Sequence, residues 1–194
     1  MEMIISCIVS FLVTAVAGRF LIPALRRMKA GQSIREDGPT WHMGKTGTPT
    51  MGGLMFILGI FVAITAAGWK NMLTGDFKHF YVYGLALIFG AIGYADDYVK
   101  VKKKRNLGLT AVQKLLLQLA AAVVFLSLMR FEGSLTPNLY VPFFNVSIVL
   151  PWVVYLIFAA FVVVGTVNAV NITDGIDGLA SSVTIPVALF FSVT

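Results

Sequence analysis

The chain has 194 residues, 58% of them apolar and only 12% charged, against roughly 45–50% and 25% in soluble domains. Its mean hydropathy of +0.85 is more than one water-soluble core can hide, which excludes an ordinary globular fold and implies an all-α integral membrane protein. The net charge of +6 does not point to nucleic acid, because the basic residues fall in two short segments between apolar runs, the pattern of membrane topology.

Residues 3–25 form the first apolar run, long enough for a hydrocarbon core that needs ~20 helical residues. Ala15-Val-Ala17 looks like a leader-peptidase site, but Glu2 occupies the n-region and the run continues past Gly18. Arg26, Arg27 and Lys29 act as a stop, so the N-terminus is expected outside and the first loop inside. Arg19, within the run, reads as a snorkelling side chain. The lone Cys7 allows no intrachain disulfide and reads as packing.

Residues 31–53 lack any apolar period and are dense in Gly, Pro and Thr, so they form a loop. Lys45, Thr50 and the glycines offer an ammonium, a hydroxyl and backbone N–H groups to a phosphate, although a loop of this composition is more often only a connector. His42 has no partner at metal-ligand spacing. A second run covers residues 54–69, with Gly52, Gly53 and Gly59 allowing close helix approach. A Gly75-Asp76 turn then leads into a third span over residues 80–95.

Asp96 and Asp97 follow at once. Adjacent helical positions are ~100° apart, so the two carboxylates can edge one cavity while doing different jobs. The competing reading pairs Asp97 with Lys100 or Lys104 as a solvated salt bridge. Lys100, Lys102, Lys103, Lys104 and Arg105 hold this loop inside and attract anionic head groups. Thr110 is placed to cap a fourth span running to Met129. Lys114 and Gln118 share one face at its start, where an ammonium either holds phosphate or snorkels.

Residues 131–146 contain Pro137-Asn138 and Pro142 among short β-favouring pieces, 139–141 and 143–144, and suggest a small outer hairpin. The fifth span covers residues 147–167 and ends in Asn168-Ala-Val-Asn171-Ile-Thr-Asp174-Gly175-Ile-Asp177-Gly178. The two glycines are expected to break the helix and leave amides and carboxylates at a membrane-level turn. A calcium loop is a poor match, since the distal Glu is missing. A sixth run, residues 179–194, carries no flanking charge, and the 194 residues read as one polytopic domain that is C-terminally incomplete. By the charge distribution every acid of interest falls on the cytoplasmic face. Transporters place such acids near the midplane, so a proton- or cation-coupled transporter is the lesser alternative to an enzyme.

Three motifs carry a resemblance. Ile34-Arg-Glu-Asp-Gly-Pro with Lys45-Thr-Gly-Thr-Pro-Thr-Met-Gly-Gly53, then Gly93-Tyr-Ala-Asp-Asp-Tyr-Val-Lys-Val101 with Asn106-Leu-Gly-Leu109, then Asn168 to Gly178, resemble the phospho-N-acetylmuramoyl-pentapeptide transferases, the MraY translocases of the polyprenyl-phosphate N-acetylhexosamine-1-phosphate transferase superfamily. The resemblance implies a ten-helix, homodimeric enzyme of the bacterial cytoplasmic membrane. It implies transfer of phospho-MurNAc-pentapeptide from UDP-MurNAc-pentapeptide to undecaprenyl phosphate, yielding lipid I and UMP with Mg²⁺ in peptidoglycan synthesis. By the same resemblance Asp96 matches a carboxylate that deprotonates the lipid phosphate, and Asp97 its essential neighbour. Lys45, Thr50, Asn171, Asp174 and Asp177 match the nucleoside-diphosphate pocket, with Lys114 as a phosphate contact. The family's principal Mg²⁺ ligand is expected beyond Thr194, so these residues alone are expected to be inactive.

Overall fold

A computed structural model of the protein describes residues 2–27, 51–103, 108–141, 143–175 and 177–193. Lys45 and Thr50, like most of the first polar loop, lie outside the described residues. The elements run α1 (Glu2–Arg27), α2 (Gly53–Leu73), α3 (His79–Lys103), α4 (Ala111–Phe131), β1 (Asn138–Val141), β2 (Val146–Val149), α5 (Trp152–Thr173) and α6 (Leu179–Val193). The molecule divides into two compact units, Met1–Lys114 and Leu115–Thr194.

This is the helical membrane fold that the composition implies. Four helices, α1, α2, α4 and α5, are long and apolar enough to cross a membrane by length and composition. Six spans were expected; all six helices are present, and the other two, α3 and α6, do not reach that length and composition among the described residues. α6 is apolar and runs for 15 residues to Val193, the last described residue. The 25 residues of α3 include Asp96, Asp97, Lys100, Lys102 and Lys103 in the last turns, so its apolar part is short although its helix is not.

In the first unit α1 and α2 pack closely and antiparallel, and α2 packs on α3. Gly59 decides the first contact: a Cβ there would lie 2.9 Å from the Ser10 carbonyl oxygen and nearer still to the Thr14 hydroxyl. The close approach expected of Gly59 is therefore real. Tyr83 donates its hydroxyl to the Ile57 carbonyl at 3.1 Å, tying α3 to α2. Gly75, with φ +80°, makes the turn between these helices.

In the second unit the hairpin pairs Asn138 with Val149 and Val141 with Val146. The expected hairpin exists, but its second strand is Val146–Val149 rather than residues 143–144, which lie in the turn with Asn145 at φ 50°. Residues 147–149, read as the start of the fifth span, belong to that strand. Pro151 then caps α5, a position where its missing N–H does no harm. Buried apolar side chains are few and mostly small, such as Ala63, Ala122 and Ala160, while Phe11 and Phe161 are each 72% exposed. Small residues inside and large apolar ones outside is the arrangement suited to lipid as solvent.

Candidate active site

The sequence of α3 dictates the centre of the site. Lys100 follows Asp96 by four residues and Asp97 by three, so one side chain reaches both carboxylates on the helix surface. Its Nζ lies 2.7 Å from Asp96 Oδ2 and 3.1 Å from Asp97 Oδ1. The pairing of Asp97 with Lys100 weighed from the sequence is present, and Asp96 shares the same lysine. The other oxygen of Asp96 is also taken: the Leu109 backbone N–H donates to Asp96 Oδ1 at 2.8 Å.

Gly108 makes that contact possible. A Cβ on it would stand 2.6 Å from the Asp96 carbonyl oxygen and press on the carboxylate itself. Thr110 then starts α4 with a reciprocal cap. The Gln113 N–H donates to the Thr110 hydroxyl at 3.2 Å, and the Thr110 N–H donates to Gln113 Oε1 at 3.1 Å. The capping role read for Thr110 holds, and the cap fixes the Gly108–Leu109 backbone against Asp96.

Asp96 is 7% exposed and sits beyond the apolar part of α3. Burial pushes its carboxyl up, but the Lys100 ammonium, the Leu109 N–H and the positive charge of Lys114 together hold it below its ordinary value. Burial likewise pushes Lys100 down, and its bonds to Asp96 and Asp97 more than reverse this, raising it. Asp96, Lys100 and Asp97 thus form a row in which Asp96 and Lys100 hold each other in their charged forms. Asp96 is saturated by its neighbours, whereas half-buried Asp97 uses only Oδ1 among the described contacts.

The second unit carries the other polar group. Asn168 donates through Nδ2 to Gln118 Oε1 at 2.7 Å and to the Val164 carbonyl at 2.8 Å. Gln118 is 2% exposed, and this amide pair joins α4 to α5 where a lone amide would be costly. Asn171 lies exposed on the last turns of α5, Asp174 caps its end, and Asp177 is exposed before α6. The expected helix break is present, with Gly178 at φ +79°. The structure therefore brings Asp96, Asp97 and Lys114 into one unit and Asn171, Asp174 and Asp177 into the other.

Four contributors escaped the sequence reading. Lys100 as a partner of Asp96 was signalled by the i,i+4 spacing. Leu109 acts through its backbone and Gly108 through its lack of a side chain, so neither gives a side-chain signal. Gln118 was noted on the Lys114 face, but its pairing with Asn168 is a long-range contact.

Among the described residues no three His, Cys, Asp or Glu side chains converge as a metal site. Mg²⁺ is commonly bound by one or two carboxylates together with substrate phosphates. Asp97 is the described carboxylate of the row that fits that lesser requirement.

Residues 79–194 match the family model of glycosyl transferase family 4, and residues 45–57 match phospho-N-acetylmuramoyl-pentapeptide-transferase signature 1. The chain belongs to glycosyl transferase family 4. Within it, the relatives it matches are phospho-N-acetylmuramoyl-pentapeptide-transferases, as the three motifs indicated. That of Caldanaerobacter subterraneus subsp. tengcongensis is 43% identical over 193 residues, covering 99% of this chain and 58% of the relative. That of Staphylococcus carnosus is 47% identical over 182 residues, covering 92% and 55%. That of Desulforamulus reducens is 45% identical over 186 residues, covering 95% and 55%. The chain spans a little over half the length of the curated relatives it matches.

Proposed function

We propose that this chain belongs to a bacterial cell-wall enzyme that transfers phospho-MurNAc-pentapeptide from UDP-MurNAc-pentapeptide to undecaprenyl phosphate, forming lipid I and UMP. The observation that carries the reading is the transferase signature at residues 45–57 in the same chain as the Asp96–Lys100–Asp97 row. The enzyme is a homodimer of the cytoplasmic membrane with its N-terminus outside. Lys45, Thr50, Asn171, Asp174 and Asp177 hold the nucleoside diphosphate on the cytoplasmic face, and Lys114 contacts phosphate. Asp97 is the described residue that would help hold a Mg²⁺, which would supply positive charge to the substrate phosphates.

The geometry favours exchanging the roles first read for the two aspartates. Asp96 gives both oxygens to Lys100 and Leu109, so it is a positioning residue that holds the ammonium. Asp97 keeps an oxygen for the acceptor phosphate: it either takes that phosphate's proton, so that the acceptor oxygen attacks the donor's β-phosphorus and the diphosphate bond breaks with UMP leaving, or itself attacks the β-phosphorus, expels UMP and passes the phosphosugar on to the acceptor. Lys100, fixed between them, supplies a cation for the phosphate charge that develops in transfer.

The test is UMP release from UDP-MurNAc-pentapeptide by the intact transferase in detergent micelles supplied with undecaprenyl phosphate and Mg²⁺. Micelles have no sealed compartment, so turnover there is incompatible with transport as the activity. Asp97→Asn should lower kcat on the order of 10³-fold. An Asp97→Asn enzyme as active as the parent would overturn the assignment.

A further inference from the structure

A second feature of the first unit lies apart from the carboxylate row. Along α1 and α2 runs a groove of about 970 Å³, lined by residues such as Val13, Phe20, Ala24, Met55, Leu58 and Phe61. Its walls are almost wholly apolar. Phe20 and Ala24 also line a smaller neighbouring cavity of about 370 Å³, whose other lining residues are Arg19, Pro23 and Arg27. Arg19, Pro23 and Arg27 are spaced at i, i+4 and i+8, so they form one stripe on α1. Pro23 lacks an N–H, so the Arg19 carbonyl loses its usual helical donor at the centre of that stripe.

Two guanidiniums beside an otherwise apolar groove are costly in a membrane unless they meet an anion or water. Arg27 stands in the last turn of α1, at the level where a span ends. Arg19 lies ~12 Å further in along the axis. Both line one cavity, and among the described residues neither has a carboxylate partner. Planar guanidiniums bind phosphate oxygens two at a time. An apolar trough beside a doubly cationic pocket is complementary to a molecule with a hydrocarbon tail and a phosphate head.

We propose that the α1–α2 groove is a binding site for an acidic membrane phospholipid, with an acyl chain along Val13, Phe20 and Leu58 and its phosphate between Arg19 and Arg27. The charge of the pocket selects an anionic lipid over a zwitterionic one. The site does not depend on the transferase reading, since none of its residues belongs to the proposed catalytic or nucleotide-binding set.

The test uses the purified intact protein in detergent, loaded with equal amounts of a phosphatidylglycerol and a phosphatidylcholine of identical acyl chains. Retained lipid is counted by native mass spectrometry. The expected result is one retained phosphatidylglycerol, preferred on the order of tenfold or more. R19Q/R27Q should lose that preference while keeping the parent's helical circular dichroism. Ala17→Phe, which fills the apolar part and leaves both arginines, should lower retention of phosphatidylglycerol at least fivefold. Equal retention of the two lipids by the parent chain overturns the proposal, as does an R19Q/R27Q chain that keeps the preference. So does displacement of phosphatidylglycerol by equimolar undecaprenyl phosphate, which would make the groove the acceptor's site. Dimers cross-linked through Val16→Cys with no lipid retained would give the groove to a second copy.

Discussion

The Leu109 backbone N–H points at Asp96 Oδ1 across 2.8 Å and binds it from thirteen residues away. That bond ties the end of α3 to the entry of α4, and Gly108 is the residue that lets the two backbones meet. Gly108→Ala should cost about 1–3 kcal/mol through overpacking against the Asp96 carbonyl. Gly93→Ala is the matched control, because a Cβ there meets nothing within 4 Å. It should leave stability unchanged or raise it by up to about 1 kcal/mol, the helix preference of Ala over Gly. Thermal unfolding in detergent of the two variants checks the contrast, and equal midpoints would refute the clamp.

Substituting the two aspartates should separate stability from chemistry. Asp96→Asn keeps an acceptor for the Leu109 N–H but removes the charge facing Lys100, at a cost of about 1–2 kcal/mol. Asp97→Asn removes the charge of one half-buried contact to the same lysine, still open to solvent screening, and should cost no more than about 0.5 kcal/mol. Turnover of the intact enzyme should fall more for Asp97→Asn than its stability explains. A variant pair in which only Asp96→Asn loses kcat with unchanged unfolding would return the acceptor-facing role to Asp96.

Much of this was legible in the residues. Apolar run lengths gave the helices, because in lipid the backbone leaves no alternative to helix over such stretches. Thr110 was readable as a cap and Gly59 as a contact, since both act through local chemistry. The extent of α3 was not: the apolar run ends at Ala95, yet the helix continues to Lys103 because Asp96 and Asp97 are neutralised by Lys100 on the next turn. The hairpin was shifted by several residues because Phe143 and Phe144 favour strands but stand in its turn. Leu109 and Gln118 could not be assigned from sequence, since a backbone donor and an interhelical amide bond depend on three-dimensional placement.

The pH dependence follows from the row's electrostatics. The folded-state value of Asp96 lies below its ordinary 3.8, so its contribution to stability is full above that value and lost as the pH falls through the lowered one. Lys100 is raised above 10.5, so its contribution is full below that value and lost only as the pH rises through the raised one. Stability from this row should therefore be flat from about pH 5 to 9. In Asp96→Asn the part of the acid limb below pH 3.8 should disappear from a plot of unfolding midpoint against pH. An unchanged acid limb would mean that Asp96 carries no linked proton.

The amide pair of the second unit allows the most direct energetic measurement. Asn168 splits its two N–H donors between Gln118 Oε1 and the Val164 carbonyl, so only one bond crosses between helices. Interhelical hydrogen bonds in membrane proteins average about 0.6 kcal/mol and reach about 1.7. Gln118 is 2% exposed and has little access to water as a substitute, which places this pair toward the upper value. A double-mutant cycle with Gln118→Leu, Asn168→Leu and the double variant should give a coupling of about 1–1.7 kcal/mol. Each single variant should be less stable than the double variant would predict by addition, because each leaves one amide buried without its partner. A coupling indistinguishable from zero would show that α4 and α5 hold together without this bond.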